Sequence, residues 1–198
     1  MPGNKTKKRP NLSEKISMAS HPPDDTAALQ LRAVPLSPEA FAPFGDVIDS
    51  RGPCHAINQG KGWRYPDLAH VDVASEDGRT AVSLVACVPE TTPVPLRLME
   101  RHPLGSQIFM PINGQRYLVV VAPAGEPPRP DALRAFVANG DQGINYHRGV
   151  WHHPMIALDE ACQFFEVHRA GPGNNCDEFA LETPIAVCLP EDQPESRP

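Results

Sequence analysis

Gln107-Ile108-Phe109-Met110-Pro111-Ile112-Asn113-Gly114-Gln115-Arg116-Tyr117-Leu118-Val119-Val120-Val121-Ala122 sets two β-type runs on either side of an Asn-Gly pair. Ile, Val, Phe and Tyr suit the pleated surface of a strand, and Asn-Gly tolerates the positive φ angles of a tight turn. The stretch therefore reads as strand, turn, strand, with Asn113-Gly114 closing a hairpin. Working outward, similar short runs occupy 81–88, 96–100, 133–137, 153–157 and 162–168, separated by Pro, Gly and Asn. The 24 prolines agree with this pattern, because proline is excluded from helix interiors and central strand positions but suits turns and edges. One short helix is expected in 37–45, where Ser37 is an N-cap, Pro38 takes the first helical position, Glu39 lies in the first turn and Gly45 follows the end. Many short strands without long helical patterns between them predict an all-β fold, an antiparallel sandwich or small barrel with a few short helices.

The length of 198 residues fits one domain, sufficient to bury roughly 70% of the surface that the unfolded chain exposes. That domain is expected over 28–190, with the proline-rich 123–130 as a surface loop inside it. Residues 1–27 carry Lys5, Lys7, Lys8, Arg9 and Lys15 but few large apolar side chains, and read as a disordered basic tail. The polar, proline-rich residues 191–198 are expected to fray. A net charge of −6 gives no reason to expect a nucleic-acid partner, and no apolar run is long enough to cross a bilayer. Cys54, Cys87, Cys162, Cys176 and Cys188 are odd in number and widely spaced, with no C-x-x-C pair. Free thiols in the reducing cytoplasm are the expectation, and neither a disulfide framework nor a cysteine zinc site is.

The chemistry gathers in two places. Glu100-x-His102 is followed by Gln107 and then Gly114. Residues two apart in a strand share a face, so Glu100 and His102 can both point into a barrel, and the next strand can bring Gln107 beside them. Further on, Asn145-Tyr146-His147-Arg148-Gly149-Val150-Trp151-His152-His153-Pro154 concentrates imidazole, guanidinium and aromatic groups. Imidazoles bind metals or move protons near neutral pH, and guanidinium holds carboxylates.

This spacing resembles the two motifs of the cupin superfamily, a β-barrel jelly roll. The first motif has His-x-His, four residues, Glu, six residues and Gly; the second has Pro-x-Gly-x-x-His. His102 and His152 fit directly, whereas Glu100 stands at the place of the first His, Gln107 at that of the Glu, and His147 at that of the Pro. Longer phrases are similar to the ureidoglycolate lyase family: Leu36-Ser37-Pro38-Glu39-Ala40-Phe41, Phe44-Gly45-Asp46-Val47-Ile48, Arg64-Tyr65-x-Asp67-Leu68-Ala69, 100–107 and 145–154. The likeness covers about residues 29 to 190, and the basic tail has no counterpart in it.

The resemblance implies a carbon–nitrogen lyase that eliminates urea from ureidoglycolate, giving glyoxylate, in the breakdown of purine-derived allantoin. It also implies a homodimer with no organic cofactor; the likeness to metal-dependent cupins offers His102, His152, Glu100 and Gln107 as holders of one divalent metal ion, a set that the departures at Glu100 and Gln107 weaken. Cleavage needs a base for the substrate hydroxyl and an acid for the departing nitrogen. His102 and His152 can serve as proton carriers or as metal ligands; a metal on both moves the base role to Glu100, His147 or Tyr146. Arg148 and Arg64 are the candidates for the substrate carboxylate, with Gln107 as a further contact and Trp151 as a wall of the pocket or part of the core. His153 is expected to face away from His152, and His21, His55, His70 and His168 to be solvated or packed. Two other functions fit the same fold: a non-catalytic cupin that binds a small acid, and another metal-dependent cupin enzyme, which the Glu100 and Gln107 departures disfavour.

Overall fold

A computed structural model describes residues 29–190; the expected N-terminal tail and frayed C-terminus lie outside the described residues. Its strands, numbered β1 to β14 in chain order, form two large sheets and one small hairpin. The larger sheet runs β11 (Trp151–His152), β6 (Val94–Arg101), β14 (Asp177–Cys188), β1 (Leu29–Pro35), β9 (Arg134–Ala138), β8 (Tyr117–Ala122) and β12 (Ile156–Ala157). Because β11 also pairs with β8, this sheet closes on itself as a barrel. The second sheet runs β2 (Gly45–Ile48), β10 (Gly143–Tyr146), β7 (Gln107–Pro111), β13 (Cys162–Ala170) and β5 (Arg79–Cys87). The hairpin joins β3 (His55–Ile57) to β4 (Gly62–Arg64). Closure abolishes the exposed edges that an open sheet would present.

All six residues of β8 are buried, which explains why its sequence is continuously apolar instead of alternating. Leu118, Val120 and Ala122 enter a core with Val94, Leu96, Met99, Trp151, Ile185 and Val187. Tyr117, Val119 and Val121 enter a second core with Phe109, Ile144, Tyr146 and Phe164, between the barrel and the five-stranded sheet. One strand thus serves two cores.

The all-β expectation holds, and four details differ. Asn113-Gly114 does not close a hairpin: β7 is flanked by β10 and β13, so the chain leaves it for the other sheet, with Gly114 at φ +72° making the turn. The sheets are not purely antiparallel, since β1 runs parallel to both β14 and β9. The run expected at 153–157 is strand only at its end, β12, while β11 finishes before it at His152; between them Pro154 has no N–H to give to a ladder. The helix is α1 (Pro38–Phe41), with Ser37 Oγ accepting from the Ala40 N–H at 3.3 Å. It is shorter than expected because the chain must reach β2 at Gly45, where a Cβ would lie 1.9 Å from the Asn145 carbonyl oxygen.

A register slip aims the site. Val94, Leu96 and Met99 of β6 all face the first core, so the alternation shifts by one between Leu96 and Met99, opposite an irregularity in β14 between Ala180 and Ile185. Without the shift Glu100 would share the face of Val94 and Leu96; with it, Glu100 and Arg101 exchange sides. Arg101 lies over the Trp151 ring at 4.6 Å, and Glu100 turns toward His152.

The five cysteines are free, with Cys54 and Cys176 exposed and Cys162 buried. Burial, with the neighbouring Cys87 charge, pushes the Cys162 thiol up to about 11. Because the thiolate is the reactive form, alkylation of native protein at mildly alkaline pH is expected to label Cys54 and Cys176 first and Cys162 only after unfolding. Mass spectrometry of the labelled peptides checks this. Among the described residues no helix is long and apolar enough to cross a membrane.

Candidate active site

Glu100, at the end of β6, lies directly across the ladder from His152 of β11. His102 follows two residues after Glu100, and its ring centroid is 5.1 Å from that of His152. The ligand atoms of Glu100, His102 and His152 all lie within 4.8 Å of one another. The fold therefore brings His152 to Glu100 and His102, which come from a separate stretch of sequence.

The two histidines are held in the same way. His102 Nδ1 is 2.6 Å from the Asn175 carbonyl oxygen, and His152 Nδ1 is 3.0 Å from that of Val150. A carbonyl only accepts, so each Nδ1–H donates, an arrangement that in a neutral imidazole leaves the lone pair on Nε2. Burial pushes His152 toward this neutral form against the pull of Glu100. Both Nε2 atoms are buried without a hydrogen-bond partner, and so is Gln107 Oε1. The nearest approach, His152 Nε2 to Glu100 Oε1, is 3.5 Å, at the outer limit of a hydrogen bond.

Buried lone pairs left without a donor are costly. Two imidazole nitrogens and a carboxylate within 4.8 Å of one another form a donor set that suits a divalent cation, the Gln107 amide oxygen on the same cavity lining as His102 is a further buried acceptor without a partner, and the backbone carbonyls behind the histidines are the outer partners that such ligands use. The residues present thus fit the metal that the fold implies. Glu100 also approaches Cys176 and Glu178, but both of these are exposed, and the buried set is the better defined.

The inner face of the five-stranded sheet changes character along its strands. Phe109 of β7 and Phe164 of β13 lie in the apolar core. In register beyond them come Gln107 on β7, and Glu166 and His168 on β13. Gln107 Nε2 donates to Glu166 Oε1 at 2.8 Å, and His168 Nδ1 lies 3.2 Å from that same oxygen. Here the barrel opens into a cavity of about 310 Å³ whose lining includes His102, Gln107, Glu166, His168 and Arg169. Tyr146 of β10 stacks on His152, with ring centroids 4.1 Å apart and planes 12° from parallel.

The other expected site residues are placed differently. The Tyr146 hydroxyl points to Met155 Sδ at 3.8 Å, so its ring face and not its proton meets His152; burial, with the Glu100 charge, raises that hydroxyl and keeps it protonated. His147 is half-exposed, with Nε2 3.2 Å from Asp46 Oδ1. Arg148 ties two loops together, donating from Nε to the Pro103 carbonyl at 2.5 Å and from Nη1 to Ser75 Oγ at 2.6 Å. With Gly149 N–H on the His102 carbonyl, it fastens the segment that carries His102. Arg64 lines a separate cavity with Trp63 and Tyr65. Trp151 faces the first core with its indole N–H directed at the Gly125 carbonyl, 3.4 Å away, because it is the β11 neighbour of His152 and alternation sends it to the other side.

Sequence reasoning missed Glu166, Arg169 and Asn175, and assigned His168 to packing or solvent. Glu166 and His168 flank Val167 in alternation, a signal that was available. Arg169 is buried, donating from Nε and Nη2 to the carbonyls of Ser75, Glu76 and Pro172. Its contacts come from loops that local sequence does not connect.

A closed mixed barrel packed against a five-stranded sheet, with two histidines and a glutamate gathered on the side of the barrel away from its first core, defines an all-β protein with one polar candidate site. A sequence model of the ureidoglycolate lyase family matches residues 28–188, and on that match the chain belongs to the ureidoglycolate lyase family. A ureidoglycolate lyase from Burkholderia cepacia is 54% identical over 159 residues, covering 79% of this chain and 89% of the relative. One from Stutzerimonas stutzeri (strain A1501) is 50% identical over 146 residues, covering 73% of this chain and 86% of the relative. Among solved structures, RmlC from Streptococcus suis in complex with dTDP-D-xylose aligns with a TM-score of 0.36 and 15% identity, covering 65% of this chain and 63% of that one. That likeness is too loose to argue from, and the fold rests on the strand pairing.

Proposed function

We propose that the protein eliminates urea from ureidoglycolate to give glyoxylate, in the cavity bounded by His102 and Glu166. The observation that carries this reading is the pair of buried Nε2 atoms without hydrogen-bond partners beside Glu100, one of them on a residue lining a polar cavity, in a member of the ureidoglycolate lyase family. In the reaction a base takes the substrate hydroxyl proton, the oxygen electrons form the aldehyde carbonyl, the carbon–nitrogen bond breaks, and the nitrogen takes a proton as urea leaves. Nothing is oxidised or reduced.

His102, His152, Glu100 and the Gln107 carbonyl oxygen hold one divalent cation, with no organic cofactor. When bound, such an ion supplies Lewis acidity that makes a neighbouring hydroxyl easier to deprotonate. The proteinaceous groups do the rest. Tyr146 supports the His152 ring, and Arg148 and Gly149 hold the His102 segment in place. Of the groups that can move a proton, His168 lines the cavity whereas His147 and Tyr146 are directed elsewhere, so His168 is placed to protonate the departing nitrogen. Arg169 lines the cavity with its Nε and Nη2 held by backbone carbonyls, so it supplies positive potential for the substrate carboxylate from the wall and not a two-toothed contact, the role expected of Arg148 or Arg64.

The protein acts in the cytoplasm as a homodimer in allantoin degradation. Five free thiols support a reducing compartment. The outer face of the five-stranded sheet supports association: Val82 and Leu84 of β5 and Phe165 of β13 are large, apolar and exposed, and Leu84 and Phe165 are cross-strand partners.

Incubating purified protein with ureidoglycolate and following urea and glyoxylate tests the reading. Urea release is expected to fall after exhaustive chelation and to return when a divalent cation is added back. Absence of catalysed release under every metal condition would remove the lyase reading, while full activity after verified metal removal would remove the cation from it.

A further inference from the structure

The Gln107 amide is not free to turn. Its Nε2 donates to Glu166 Oε1 at 2.8 Å, and its Oε1 is buried without a partner. Turned over, the amide would set its oxygen against a carboxylate oxygen at that same separation, two acceptors with no proton between them. Glu166 therefore decides which way the amide faces. Gln107 and Glu166 are 9% and 8% exposed, so water offers neither an easy alternative partner. The neighbours brace the arrangement: His168 lies across the ladder from Gln107 and 3.2 Å from Glu166 Oε1, and Tyr146, the opposite cross-strand partner of Gln107, is the residue stacked on His152.

We infer that Glu166 is a positioning residue that locks the Gln107 amide with its carbonyl oxygen toward the cation site of His102, His152 and Glu100. The inference rests on the cation site proposed above. A carboxylate at 107 would bring its charge directly to the ion; this chain sets that charge one side chain back, and the hydrogen bond polarises the amide so that its oxygen is a better donor than an isolated amide. The apparent loss of an acidic ligand at 107 is thus compensated from β13.

Calorimetric titration of the full-length protein with Mn²⁺ tests this, alongside thermal melting and urea release. Glu166→Ala is expected to weaken Mn²⁺ binding by about tenfold or more, the usual effect of removing a group that orients a ligand. Adding Gln107→Glu to Glu166→Ala presents an oxygen whichever way the group turns, so binding is expected to return to the wild-type level or tighter. A purely structural role for Glu166 would show no such rescue. If Glu166→Ala does not fold, Glu166→Gln with and without Gln107→Glu carries the same comparison, because an amide at 166 offers N–H as readily as oxygen. Unchanged affinity in the single variant, no recovery in the double variant, or no Mn²⁺ binding by wild-type protein overturns the inference. The lyase reading is judged separately, on urea release.

Discussion

His152→Ala is expected to lower urea release by about 100-fold or more, the scale for losing a group that moves a proton or holds a catalytic ion. The ring is 2% exposed, its Nδ1 is fixed on the Val150 carbonyl, and its Nε2 faces Glu100 and His102. Alanine removes that lone pair and the surface on which Tyr146 stacks, and leaves Glu100 without its cross-strand partner. His102→Ala is expected to cost a similar factor. Because both rings serve one donor set, the double variant is expected to be little worse than either single one, as for groups that act as a unit. Steady-state assays of the three variants, with circular dichroism to show that each is folded, decide the matter. Rates near wild type in either single variant would place the active site elsewhere.

Phe164→Ala is expected to have the largest effect on stability, about 3–5 kcal/mol. Phe164 is fully buried and meets Phe109 and Tyr117 edge to face, with centroids 5.9 and 5.0 Å away, so truncation leaves a cavity between the two sheets. For a domain of this size that loss corresponds to a fall in Tm on the order of 6–20 °C. The next residue provides the contrast. Phe165 is 40% exposed on the other face of β13, so within one protomer Phe165→Ala is expected to change stability by less than about 1 kcal/mol, any further loss being of subunit association and so dependent on protein concentration. Thermal and urea denaturation of both variants measure the difference. Comparable losses would contradict the assigned facing of β13, and with it the placement of Glu166 and His168 on the inner wall.

That facing shows why parts of the molecule were legible in the sequence. The runs that became β5, β6, β7, β8, β9 and β13 carry enough Val, Ile, Leu and Phe to declare themselves. Others did not: β10 has four residues, β11 has two, and β14 contains Pro184 and polar residues beside its irregularity, while β12 is the short remnant of the run expected at 153–157. The Asn113-Gly114 turn was visible, but not the sheet to which the chain would cross, because both edges of β7 are taken by strands distant in sequence.

By itself the sequence determined the all-β class, the cap of the short helix and the family likeness, and through that likeness the expectation that Glu100, His102 and His152 share a site. The first two follow from local alternation and capping chemistry, properties a short stretch carries alone. Only the tertiary structure decided which face each strand presents after the slip in β6, and that slip turns Glu100 inward and Arg101 onto Trp151. Only tertiary structure sent Arg148 to the Pro103 carbonyl, Trp151 to the first core and the Tyr146 hydroxyl to Met155, and set Glu166 against Gln107. Long side chains reach whatever acceptor the folded chain brings near, and a strand's neighbours are chosen by closure of the whole barrel, so neither can be read from one segment.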